Sequence, residues 1–84
     1  MLLAIDVGNT NTVLAVFNGK KLHCKWRLST DPNRTEDEYL LYINELLKRA
    51  NIDAQHITHS IIASVVPQGL FALKRYCHNH LNTQ

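Results

Sequence analysis

Residues 6–12 read DVGNTNT, and the fold turns on what this stretch connects. Before it lies a short run, Leu2-Leu3-Ala4-Ile5, apolar on both faces as in a central strand covered on two sides. After it, Thr12 to Phe17 (TVLAVF) repeats that character with β-branched residues, and Asn18-Gly19 supplies a strong hairpin signal. The stretch is thus a connection between two strands. It opens on a carboxylate, Asp6, and continues in small amides, small hydroxyls and one glycine, Gly8, with no basic residue.

Beyond the hairpin, Leu22, Cys24, Trp26 and Leu28 alternate with His23, Lys25 and Arg27, which predicts a third strand, one face buried and one wet, at a sheet edge. Strands two and three are then antiparallel. A polar segment, Ser29 to Arg34, contains Asp31-Pro32, and Thr35 and Glu38 stand at capping-box spacing before a helix that starts at about Glu36. Leu40, Ile43, Leu47 and Ala50 recur at helical spacing, Lys48 and Arg49 suit the negative end of the dipole, and Asn51 is a stop signal. Ser60 to Val66 (SIIASVV) is a further apolar, β-branched strand closed by Pro67, and Leu70, Leu73, Cys77 and Leu81 space out a second helix. The order is strand, strand, strand, helix, strand, helix, an α/β protein with about four strands in a mixed sheet. The fourth strand is uncharged and reads as an interior strand, yet no later run can pair with it. The chain is therefore expected to be the front portion of a larger protein, or to be covered on that side by another chain.

Composition narrows the function classes. Eighty-four residues support one modest core and are too few for two lobes closing around a substrate. With 45% hydrophobic and 19% charged residues the chain is an ordinary globular one, and a net charge of +2 gives no basic footprint for nucleic acid or anionic lipid. The cysteines, Cys24 and Cys77, lie far apart and read as small buried hydrophobes in a reducing compartment. The first apolar run stops at Asp6, too short for a signal peptide or a membrane span, so a cytoplasmic location is expected.

A loop that holds phosphate needs several hydrogen-bond donors in a concave arrangement, and backbone approaches closest where a side chain is missing, as at Gly8. Asn9, Thr10, Asn11 and Thr12 can add side-chain donors. Without a lysine the compensating charge would have to come from a metal, and Mg²⁺ is commonly held by one or two carboxylates together with phosphates, which makes Asp6 the candidate ligand, directly or through water. A ligand there would sit at the carboxyl end of a central strand, where ligands collect in open α/β sheets. The competing account is a tight hairpin in which Asp6 and the asparagines only satisfy turn backbone.

Asp6-x-Gly8-x-Thr10 between the first two strands of this element order resembles the first phosphate loop of the sugar-kinase, heat-shock ATPase and actin superfamily. Within it, DVGNTNT at 6–12, WRLSTD at 26–31, RTEDEY at 34–39 and SVVP at 64–67 together resemble the amino-terminal part of a type III pantothenate kinase. The resemblance covers essentially the whole chain, the first motif being specific and the others supporting.

It implies a ribonuclease H-like (actin-like ATPase) half-domain with sheet order 3-2-1-4, residues 1–84 being the amino-terminal portion of the first lobe and the second lobe absent. It also implies ATP-dependent phosphorylation of pantothenate to 4′-phosphopantothenate, the first step of coenzyme A biosynthesis. Residues Asp6, Val7, Gly8, Asn9, Thr10, Asn11, Thr12 and Val13 would wrap the ATP phosphates, with Asp6 near Mg²⁺. A monovalent cation, K⁺ or NH₄⁺, and homodimers of the full-length protein belong to the same expectation. A complete enzyme would be roughly three times this length by family analogy. Its base is an aspartate in a G-x-D-R motif. This chain has no such motif, so no catalytic residue is assigned and the chain alone is expected to be inactive. The alternatives are a non-catalytic, nucleotide-binding regulatory or accessory protein of the same fold, and a structural module whose hairpin binds nothing.

The remaining polar residues have simpler readings. His56, His59, His78 and His80 lack zinc-site spacing. Trp26 reads as a buried indole and Arg27 as a solvated guanidinium, and Glu36 to Glu38 as helix-capping acids. Ser64 is expected to face the same cleft as Asp6.

Overall fold

Each apolar run becomes an element of the computed structural model, which describes residues 1–81. Strands β1 (Leu2–Val7), β2 (Asn11–Asn18) and β3 (Lys21–Ser29) precede helix α1 (Glu36–Arg49), and a 3₁₀ turn (Ala54–His56) leads to β4 (His59–Ser64) and α2 (Leu70–His80). The sheet order is β3-β2-β1-β4, with β4 parallel to β1 and the other two pairings antiparallel. This is the mixed, four-stranded sheet with two helices that the element order and the family resemblance imply.

Among the described residues, only one face of the sheet is covered. Register puts Leu3, Ile5 and Val7 of β1 beside Val16, Leu14 and Thr12 of β2, and these side chains are buried against Tyr39, Ile43 and Leu47 of α1 and Leu73, Tyr76 and Cys77 of α2. The opposite face carries Leu2, Ala4 and Asp6, none of them buried. The expectation of a β1 covered on two sides is therefore corrected. Both helices pack on one face, and the apolar character of Leu2 and Ala4 serves a half-open one.

Local chemistry explains the element boundaries. Thr35 and Glu38 form the capping box, Glu38 N–H donating to Thr35 Oγ1 at 3.2 Å and Thr35 N–H to Glu38 Oε1 at 2.9 Å. At the other end Asn51 takes the left-handed conformation (φ 60°). Its N–H bonds the Lys48 carbonyl and the Ile52 N–H bonds the Leu47 carbonyl, closing a Schellman motif over the buried Leu47–Ile52 pair.

The hairpin turn sits one residue later than Asn18-Gly19 suggests. Asn18 pairs with Lys21, leaving Gly19 and Lys20 as the loop, and Gly19 at φ 63° occupies the first position, where a II′ turn demands glycine. A bulge between Val16 and Phe17 then sets Leu22 opposite Phe17, with the extra residue, His23, breaking the alternation. Leu22 is consequently 49% exposed rather than buried, while Cys24, Trp26 and Leu28 are half-buried on the helix side. β4 is likewise no interior strand among the described residues, since it pairs only with β1 and stands at the sheet edge.

Candidate functional site

β1, β3 and β4 all end on the same side of the sheet, and β2 begins there. The connection from β1 to β2 crosses this edge. It is closed by a hydrogen bond from Gly8 N–H to the Asn11 carbonyl at 2.9 Å, and a Cβ at Gly8 would stand 3.0 Å from that carbonyl oxygen, so the tight bend favours glycine. Asn9, Thr10 and Asn11 are exposed at the tip, Asp6 is exposed within β1, Gly8 and Val13 are half-buried, and Val7 and Thr12 turn into the core. Alternation along the two strands causes this division: one set of side chains anchors the loop and the other lines its open side.

Asp6 pairs in register with Val13 and Ala63, so its carboxylate stands on the open face between a small and a medium apolar neighbour. Among the described residues it has no hydrogen-bond or ion-pair partner. Nor does a group of three or more His, Cys, Asp or Glu gather anywhere among the described residues. An exposed lone carboxylate suits Mg²⁺, which keeps several waters and takes further oxygens from phosphates. The N–H groups of Asn9 and Thr10 find no backbone acceptor among the described residues, which leaves them available at the tip.

Thr30, just past β3, holds the loop in place. Its N–H donates to the Thr10 carbonyl at 2.8 Å, its hydroxyl donates to the Gly8 carbonyl at 2.8 Å, and Thr12 Oγ1 lies 2.9 Å from Thr30 Oγ1. Thr12, expected among the donors to phosphate, thus directs its hydroxyl inward, at 2% exposure. Thr30 belongs to the WRLSTD motif, but nothing in the spacing of that motif shows which carbonyls it reaches.

Beneath the loop a crevice lined by Val7, Thr30, Pro32, Ser64 and Gly69 encloses only about 10 Å³. That is on the order of one water, so the crevice has no room for a phosphate group. Ser64 lies here rather than beside Asp6, because it is in register with Val7; its hydroxyl donates to the Val66 carbonyl at 2.7 Å, and Ala63 takes the place next to Asp6. Gly69 precedes α2 at φ 85°, and a Cβ there would come within 2.5 Å of the Pro32 carbonyl oxygen. The segment after β3 therefore rests directly on the start of α2.

Arg34 secures the same segment from the other side. Its Nη1 donates to the Ser29 carbonyl at 3.0 Å, and its guanidinium lies 5.7 Å and 5.3 Å from the ring centroids of Tyr39 and Tyr42. Burial pushes the Tyr39 hydroxyl pKa up, with the Arg34 charge opposing it. Glu36 does more than cap: it accepts from Arg75 Nε and Asn79 Nδ2 and meets His80 Nε2, each at 3.0 Å, so it ties the start of α1 to the end of α2. The hydrogen bonds from Asn79 and Arg75 hold its carboxyl below the ordinary glutamate pKa.

Fold and loop together define an α/β protein with a lysine-free, glycine-centred loop at the carboxyl end of a central strand. A family model described as type III pantothenate kinase matches residues 2–84, and the chain belongs to that family. It is 44% identical over 81 residues to the type III pantothenate kinase of Syntrophotalea carbinolica, covering 96% of this chain and 32% of that protein. To the one from Gluconobacter oxydans it is 45% identical over 82 residues, 98% of this chain and 30% of that protein. To the one from Paramagnetospirillum magneticum it is 45% identical over 84 residues, 100% of this chain and 32% of that protein. The chain thus spans about a third of the length of the curated relatives it matches. Among the described residues no helix is long and apolar enough to cross a membrane.

Proposed function

We propose that residues 1–84 form the amino-terminal portion of the first actin-like lobe of an enzyme that phosphorylates pantothenate with ATP, giving 4′-phosphopantothenate for coenzyme A biosynthesis. This chain supplies the loop, Asp6 to Val13, that holds the nucleotide's phosphates. The observation that carries this reading is that the Asn9 and Thr10 N–H groups and the Asp6 carboxylate, all at the carboxyl end of β1, have no partner among the described residues. Family membership supports the reaction class.

Within that reading the residues divide their work. Gly8 lets the backbone bend tightly, Asn9, Thr10 and Asn11 offer neutral donors to phosphate oxygens, and Val7 and Thr12 fix the loop to the core. Asp6, exposed beside Val13 and Ala63, would hold Mg²⁺ directly or through water. The bound ion supplies the positive charge that a loop without lysine lacks. Phosphoryl transfer is mainly positioning and charge stabilisation, so a rigid donor set of this kind is a sufficient contribution from one half of a site. The catalytic base is expected in a downstream G-x-D-R motif, and the pantothenate pocket mostly in the part of the enzyme outside this chain. A monovalent cation, K⁺ or NH₄⁺, homodimers of the full-length protein and a cytoplasmic location complete the proposal.

Calorimetric titration of Mg-ATP into the chain and its Asp6→Asn variant tests it. Wild type is expected to bind, and the variant to bind roughly tenfold more weakly in Mg²⁺ while differing little in EDTA. Equally weak binding by both forms in Mg²⁺ overturns the assignment and favours a hairpin that serves only as a turn.

A further inference from the structure

We infer that Thr30, a residue outside the loop, is the positioning residue that aims the loop's backbone donors at phosphate; the inference rests on the phosphate reading of Asp6 to Val13. A hydroxyl has a single proton, and Thr30 spends its own on the Gly8 carbonyl at 2.8 Å. The 2.9 Å contact between the two hydroxyls must then run from Thr12 to Thr30. The result is a one-way relay, Thr12 O–H to Thr30 O–H to Gly8 C=O, with Thr12 buried at its origin.

The direction of this relay has a consequence for the peptide it ends on. In a trans peptide the C=O and the next residue's N–H point in opposite directions, and no cis bond occurs among the described residues. Drawing the Gly8 carbonyl inward therefore turns the Asn9 N–H outward, toward the open side of the tip. The Thr30 N–H fixes the Thr10 carbonyl at 2.8 Å in the same way, so one residue clamps the loop at two points. Thr30 lies 22 residues beyond Gly8, so no local turn preference of DVGNTNT supplies this orientation. Both polar protons of Thr30, the hydroxyl's and the N–H, are committed to loop carbonyls, so its role is to position the loop.

Mg-ATP binding to the chain, measured by calorimetry and by ¹⁵N-amide shifts, compares wild type with Thr30→Val, Thr30→Ser and Thr12→Val. Thr30→Val keeps the shape, leaves the Gly8 carbonyl without its donor, and is expected to weaken binding roughly tenfold or more. Thr30→Ser restores the hydroxyl and is expected to bind within about twofold of wild type, while Thr12→Val, which leaves the Thr30–Gly8 bond, falls between them. In wild type the Asn9 amide is expected to shift on Mg-ATP addition, a readout that holds even if Thr30→Val unfolds. Binding by folded Thr30→Val equal to wild type, or failure of Thr30→Ser to rescue, overturns the role of Thr30 and leaves the phosphate loop standing, whereas an Asn9 amide unmoved by bound Mg-ATP overturns both. A wild-type chain that binds no Mg-ATP overturns the loop assignment first and this inference with it.

Discussion

Replacing Gly69 by alanine strains the chain in two separable ways. At φ 85° the backbone is left-handed, which costs an L-residue about 1–2 kcal/mol. The new Cβ also stands 2.5 Å from the Pro32 carbonyl oxygen, a backbone atom that cannot swing aside as a side chain does. Relieving such an overlap costs typically about 1–3 kcal/mol, so the total loss is about 2–5 kcal/mol. Gly19 carries a positive-φ cost of its own without any overlap, since its φ is 63° and nothing lies within 4 Å of the added Cβ. Gly19→Ala should therefore lose only that backbone cost, about 1–3 kcal/mol. Urea unfolding of both variants and wild type, followed by circular dichroism, gives the comparison at equal m-value. Because Pro32 lies just after Thr30, Gly69→Ala is also expected to weaken Mg-ATP binding more than Gly19→Ala does. Equal destabilisation by the two substitutions refutes the claim that the segment after β3 bears on the start of α2.

Two further outcomes test the helix termini. Thr35→Ala removes the hydroxyl that accepts from Glu38 N–H and is expected to cost about 1 kcal/mol in the same unfolding assay, with Thr35→Ser close to wild type. Glu36 titrates below its ordinary value of 4.5 in the folded chain because Asn79 and Arg75 hydrogen-bond its ionised form. A depressed folded-state pKa stabilises at pH values above the unfolded pKa, and that stability is lost as pH falls through the folded value. Wild type should therefore exceed Glu36→Gln in unfolding midpoint at neutral pH, and the gap should close as pH falls below 4.5. A gap that widens on acidification would contradict the cross-helix role of Glu36.

Element types and order were legible because each carries its own local signal. Thr35 and Glu38 announced the start of α1, Asn51 its stop, and the β-branched runs the strands, since caps and alternation act over a few residues. Signals that depend on pairing misled. The alternation Leu22, Cys24, Trp26, Leu28 reads as one buried face, but the bulge opposite Phe17 sends Leu22 to the other. A bulge is decided by two strands together, and so was the position of Ser64, whose register with Val7 rather than Asp6 no single segment encodes.

DVGNTNT by itself settled that a carboxylate and a glycine-centred set of neutral donors lie where the first strand turns into the second, because composition and strand alternation are properties of the chain alone. Tertiary structure decided which of those donors remain available. It buried the Thr12 hydroxyl against Thr30 and drew the Gly8 carbonyl inward. It left Asp6 open beside Ala63. Thr30, Pro32 and Gly69 reach the loop's surroundings only when β1, β3 and β4 end on one side of the sheet, and a hydrogen bond between residues 22 positions apart has no signature in either neighbourhood.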